Sequence, residues 1–204
     1  MQKLSSLDEI AIFFGNFSHT PIIVIVFVIG ITLKELNLKF ERRYFIEAII
    51  VLLFSIIFNL ALKYSFRIPL PEARFGKDAF AFPSGHMHSV VSFYGWLAFR
   101  YKSWRLNIVI GIIFLGVIFG MLRFEYHEIR DILGALFFGS ILLATYNYLL
   151  KNHYKYIHYI ISFASAFLVL YIYLIHQHIV ITSAWLAFIG VNFMAMVMKK
   201  LYPN

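Results

Sequence analysis

Long apolar runs broken by short polar clusters dominate the chain. Seven stretches are apolar over most of their length: Phe17–Leu33, Phe45–Leu62, His86–Phe99, Leu106–Leu122, Ile132–Leu150, Tyr156–Ile175 and Ile179–Met198. A helix needs about 20 such residues to cross a bilayer, fewer where interfacial aromatics cap it. The pattern predicts an all-α bundle of six to seven membrane spans. The third run is short and carries Ser89, Ser92 and Gly95, so it is expected to face protein more than lipid. Ahead of the first run, Leu7–Phe14 joins Asp8 and Glu9 to Ile and Phe side chains, as in an amphipathic helix lying at the interface. The N-terminus lacks the basic start and small-residue cleavage site of a signal peptide. No repeat, linker or low-complexity tract divides the chain, so residues 1–204 read as one membrane domain.

Composition agrees. The 204 residues are 61% hydrophobic and 14% charged, with a mean hydropathy of +0.79. That excludes a soluble globule, a disordered tail and a coiled coil. The absence of cysteine excludes disulfides, thiolate zinc sites and cysteine nucleophiles. The net charge of +8 does not call for nucleic acid, because basic residues mark the cytoplasmic loops of membrane proteins. Most of them fall on one face: Lys34, Lys39, Arg42 and Arg43; Arg100, Lys102 and Arg105; Lys151 and Lys155; Lys199 and Lys200. This face is expected in the cytoplasm. The opposite face carries Lys3 and two basic loops, one with Lys63, Arg67, Arg74 and Lys77, the other with Arg123 and Arg130. Outward cations run against the insertion bias, which points to a function for them.

These two loops also hold reactive side chains. The first ends in Phe82-Pro83-Ser84-Gly85-His86, and the second reads Arg123-Phe-Glu-Tyr-His127-Glu-Ile-Arg130-Asp131. Pro83-Ser84-Gly85 ahead of a helix offers free amides and a hydroxyl at the positive end of the dipole, an anion site. Lys63 and Arg123 would add charge for phosphate oxygens. His127 and Asp131 are four apart, so on a helical turn they share a face. Asp131 could then hold one ring nitrogen and leave the other free as a nucleophile. His86 could protonate a departing oxygen. Together they amount to a metal-free phosphoryl-transfer site.

Each part also has a plainer use. Pro-Ser-Gly simply ends loops and starts helices, and His127 with Asp131 could be a structural pair. His88 lies about 200° round the helix from His86, which favours packing over a shared ligand. His19, His153, His158, His176 and His178 lie near span ends and read as interfacial residues, without an acidic partner that would make His176-Gln-His178 a metal site. Glu47, inside the second run, is expected to pair with Arg43 at the cytoplasmic edge. Glu125 and Glu128 read as solvated loop charges.

The ordered set Lys63…Pro71, Pro83-Ser84-Gly85-His86 and Arg123…His127-x-x-x-Asp131 resembles the signature of the type 2 phosphatidic acid phosphatase family of integral-membrane lipid phosphatases. The resemblance spans roughly residues 10–150, leaving 151–204 as two additional C-terminal spans. It implies His127 as the nucleophile that becomes phosphohistidine, Asp131 as its partner and His86 as the general acid. Lys63, Ser84, Gly85 and Arg123 would hold the phosphoryl group, without a cofactor or metal. Leu70 stands before Pro71 where the family carries arginine, a charge that Arg67 or Arg74 could replace. Arg123 and His127 are closer together than in the family, and Leu122 replaces a serine. The expected activity is hydrolysis of a membrane lipid phosphate or diphosphate on the outer face of a bacterial plasma membrane. Candidate substrates are undecaprenyl diphosphate, phosphatidylglycerol phosphate, phosphatidic acid and lipid A phosphate. Two alternatives are a lipid-to-lipid phosphotransferase and a non-catalytic protein that binds or transports anionic lipid.

Overall fold

The computed structural model describes residues 5–19, 22–23, 25–26, 41–70, 80–175 and 182–202. Most of the first predicted span lies outside these residues, as do Arg74, Pro71, His176, His178 and the start of the last span. Seven helices are described. They are α1 (Ser6–Gly15), α2 (Arg42–Phe66), α3 (85–101), α4 (Trp104–Arg123), α5 (Ile129–Asn152), α6 (Ile157–Ile175) and α7 (Thr182–Leu201). Among the described residues the β-structure is limited to one antiparallel bridge, Pro69 to Phe80. Five helices, α2 and α4 to α7, are long and apolar enough to cross a membrane. The chain is an all-helical membrane protein.

α3 is the short, serine-bearing run. It runs as an α-helix from Gly85 to Val90, a π-helical turn over Val91–Gly95 and an α-helix from Trp96 to Tyr101. Its Met87, Val90, Phe93 and Trp96 are fully buried, as expected for a helix facing protein. α2 is the hub: it packs against α3, α6 and α7 and touches α5. The share of the apolar window buried is 61% for α2 and 28% for each of the other four spans, which places α2 inside and leaves the rest broad lipid-facing surfaces.

Between membrane helices there is little hydrophobic driving force, so close backbone approach at small residues carries the packing. α1 shows this. It packs along α4 at Gly116 and Gly120, where an added Cβ would lie 2.2 Å from the Phe14 ring and 2.8 Å from the Ala11 carbonyl oxygen. The predicted amphipathic helix is thus seated in a notch on α4, while Leu7, Ile10, Ile12 and Phe13 remain exposed. Its start is capped reciprocally by Ser5 and Asp8. Asp8 Oδ1 then accepts from Arg123 Nε at 3.1 Å, at the end of α4. Gly120→Val should unseat α1. Limited proteolysis in detergent should then cut the first twenty residues several-fold faster, while Gly111→Ala, in open space, should change nothing.

The end of the bundle carrying Arg43 and Arg100 holds a buried ion cluster. The Glu47 carboxylate is wholly buried, with Arg43 Nε at 2.9 Å and Arg100 Nε at 2.9 Å. Trp96 Nε1 donates to Glu47 Oε2 at 3.3 Å. The expected Arg43 pairing is present, and Arg100 and Trp96 of α3 join it. The guanidinium of Arg100 lies 4.4 Å from the Tyr44 ring centroid and that of Arg43 lies 5.0 Å from Tyr154. Charge, indole and aromatic faces together tie α2 and α3 to the start of the C-terminal pair of spans.

Candidate functional site

The opposite end of the bundle collects the candidate residues. α2 ends at Phe66, with Arg67 in the left-handed conformation as its C-terminal cap and the Arg67 amide bonded to the Lys63 carbonyl. The chain returns at Phe80. The Ala81 amide donates to the Ile68 carbonyl at 2.7 Å and the Ser84 amide to the Asp131 carbonyl at 3.0 Å. Lys63 Nζ donates to the carbonyls of Phe80 and Ala81, and Asn59 Nδ2 donates to the Pro83 carbonyl at 3.3 Å. The Phe82 ring sits on α5 at Gly134, where a Cβ would come within 2.2 Å of it. The loop before α3 is therefore fastened to α2 by two side chains and to α5 by backbone and ring.

Ser84 is the N-cap of α3. Its hydroxyl is fully buried, accepts from the Met87 amide at 3.4 Å and donates towards Met121 Sδ at 3.6 Å. The serine thus shapes the helix start instead of presenting its hydroxyl. The Met87 and His88 amides bond back to Ser84, which leaves the first two amides, of Gly85 and His86, outside the helical ladder. A Cβ on Gly85 would meet Asn59 Oδ1 at 3.4 Å and Lys63 Cε at 3.9 Å. The open helix start and the lysine stem are neighbours.

His127 and Asp131 do meet, with Nδ1 and Oδ2 3.4 Å apart, but not as expected. They do not stack on a helical turn, because α5 begins at Ile129 and His127 lies in the loop before it. Asp131 is the third residue of α5, and its Oδ2 also accepts the Glu128 amide at 3.1 Å in a capping box. The cap holds the carboxylate, and the carboxylate in turn holds the imidazole. Arg130 Nε lies 3.5 Å from Asp131 Oδ1. The pairing engages Nδ1, so Nε2 is the ring nitrogen that Asp131 does not hold. Burial pushes the His127 pKa down, the Lys63 charge lowers it further, and the hydrogen bond and charge of Asp131 oppose both. The balance is downward, which favours the neutral ring. If neutral His127 is the reacting form, phosphate release should not be lost to protonation of this ring until the pH falls below the ordinary histidine range near 6.5. The acid limb of a kcat/KM profile should then fall below pH 6.5.

The His86 and His127 ring centroids are 6.5 Å apart. Of the remaining candidates, Arg123 pairs with Asp8 through Nε, which leaves the two terminal nitrogens of its fork for another anion. Arg67 donates Nε–H to the Tyr64 carbonyl at 3.1 Å and so closes its own helix end. Arg74 lies outside the described residues. His88 is buried, with its ring 6.0 Å from Phe58 and, among the described residues, no hydrogen-bond partner for either nitrogen, so packing is what holds it. Glu128 is the N-cap residue of α5, and its carboxylate stays exposed, 3.3 Å from Arg130 Nε.

Two residues that the sequence reading passed over belong here. Asn59 sits one turn before Lys63 on α2, and a polar amide in an otherwise apolar run was the available signal. His19, read as an interfacial residue, lies with its ring 5.3 Å from that of His86 at 82°. No local signal joins positions so distant in sequence.

An apolar cavity of about 300 Å³ opens elsewhere, between α2, α5 and α6, lined by Phe54, Phe58, Leu142 and Phe167 with Thr145. It has no titratable wall and is not a reacting centre. Among the described residues no group of three or more His, Asp or Glu side chains is arranged to hold a metal ion. Comparison of the chain with family models, with curated proteins and with solved structures finds no match.

Proposed function

We propose that this chain is a membrane lipid phosphatase that works through a phosphohistidine on His127. The observation that carries this reading is one end of the bundle on which two imidazoles, one of them held by a carboxylate, and an open helix start with an adjacent lysine converge. His127 Nε2 attacks phosphorus while the P–O bond to the lipid oxygen breaks, and His86 gives its proton to that oxygen. Water then attacks phosphorus, His86 takes the proton of the water, and the P–N bond breaks to release phosphate. Asp131 stabilises the imidazolium character that develops as the first step proceeds. The amides of Gly85 and His86 and the third proton of Lys63 Nζ support the phosphoryl oxygens. Arg123 supplies its terminal nitrogens while Asp8 holds Nε. None of these steps needs a metal.

An amphiphilic substrate fits the surroundings. Its head would reach the basic loops while its chain stays among the lipid-facing helices, and the cavity beside Phe58 suits hydrocarbon. The bias of basic residues towards the Arg43 and Arg100 end supports an outer-face location for this site.

The test is a phosphate-release panel in detergent with purified phosphatidic acid, phosphatidylglycerol phosphate, undecaprenyl diphosphate and lipid A, with and without EDTA. Release from one or more of them, insensitive to EDTA, is the expected result. No release from any of them would overturn the reading, and product formed only when a second lipid is present would replace hydrolysis with transfer. Reporter fusions after Lys102 should report the cytoplasm, and the opposite outcome would invert the site.

A further inference from the structure

We propose that the N-terminal segment forms a wall of this site, with His19 as the positioning residue that orients His86. The catalytic meaning of the contact rests on the phosphatase reading; the contact itself does not.

His127 has Asp131 to set its ring. His86 has no such partner: among the described residues its ring contacts are two imidazoles, His19 at 5.3 Å and 82° and His127 at 6.5 Å and 61°. The side chain is also exposed, so little packing restrains it. A general acid must aim one nitrogen at the leaving oxygen, and misplacement by an ångström costs about 10²-fold. The near-perpendicular His19 ring is what limits that freedom, because an aromatic edge set against a ring face is the favoured arrangement of such pairs.

The backbone at His19 is fixed by hydrogen bonds. After α1, the turn Asn16–Ser18 is closed by the Ser18 hydroxyl donating to the Gly15 carbonyl at 2.6 Å. The His19 amide donates to the Asn16 carbonyl at 3.0 Å, and its own carbonyl accepts the amides of Ile22 at 3.1 Å and Ile23 at 3.2 Å. Upstream, the Gly116 and Gly120 notch and the Asp8–Arg123 pair fasten α1 to α4. One short segment thus touches the site at two points, Asp8 on Arg123 and His19 on His86.

Since the role is that of a ring edge, it needs no titrating group. His19→Ala should lower kcat about tenfold with KM little changed, and His19→Phe should recover most of the loss. A His19→Phe variant as slow as His19→Ala, or a His19→Ala variant as fast as wild type, would overturn the proposal. A second measurement does not depend on turnover. Diethylpyrocarbonate acylates accessible neutral imidazoles, and peptide mass spectrometry reads its rate at His86. That rate should rise about threefold in His19→Ala and return in His19→Phe as the ring is shielded again. Equal rates in all three proteins would overturn the contact whatever the activity. Protection by a ring at position 19 in a protein that releases no phosphate would leave the contact standing and remove the phosphatase reading alone.

Discussion

His127→Ala should slow phosphate release by at least about 10⁴-fold, the scale seen when a nucleophile or its base is removed from a covalent enzyme. The loss belongs to kcat, because the substituted atom is the one that bonds phosphorus. His127 is a loop residue ahead of α5, and the α5 capping box runs between Glu128 and Asp131 without it, so the variant should express and melt like wild type. A brief reaction with ³²P-labelled lipid, quenched in alkali, should label wild type in an acid-labile form and leave His127→Ala unlabelled. Label retained in the variant would move the nucleophile elsewhere. Asp131→Asn separates the two tasks of that carboxylate. An asparagine oxygen still accepts the Glu128 amide but cannot balance an imidazolium. The rate should fall on the order of 10² to 10⁴-fold with little change in melting.

The largest effect on stability is expected at the other end of the bundle. Glu47→Gln leaves Arg43 and Arg100 facing each other without the carboxylate that both contact. Breaking a buried ion pair by removing one partner costs about 3–5 kcal/mol. The two arginine side chains keep 33% and 24% exposure and recover some hydration, which favours the lower end, about 3 kcal/mol. At roughly 2–4 °C per kcal/mol for a chain of this size, the apparent Tm in detergent should drop by roughly 6–12 °C. Arg43→Gln should cost much less, since Arg100 and Trp96 still satisfy Glu47. Phosphate release measured well below the melting range should be unchanged in both, because the cluster and the histidines lie at opposite ends. A Glu47→Gln protein as stable as wild type would show that the cluster contributes no net stability.

The helices were legible because a bilayer imposes a length and a polarity on anything that crosses it. The apolar run 45–62 became α2, which extends to Arg42 and Phe66, with Arg43 paired to Glu47 and Lys63 bonded to the Phe80 and Ala81 carbonyls at its two ends. The weak, serine-bearing run became the buried α3. Of the site, Ser84 as a helix start and the pairing of His127 with Asp131 could be read from spacing. The reason for the pairing could not, because it depends on a cap, not on helical periodicity. Lys63 was identified as a cation for phosphate, and its tie to the carbonyls of Phe80 and Ala81 is a long-range contact without local trace.

Sequence by itself therefore determined what burial and local backbone rules control: an all-helical membrane chain, the order of the five helices long enough to span, and an end rich in cations and histidines. Tertiary structure alone decided how α1 seats on α4, that Asp8 holds Arg123, that Asn59 and Lys63 fasten the loop before α3, and that His19 meets His86. Hydropathy and periodicity are sums over neighbours in the chain. Contacts at small residues and between polar groups at helix ends depend on which helices adjoin, and that is settled only when the bundle packs.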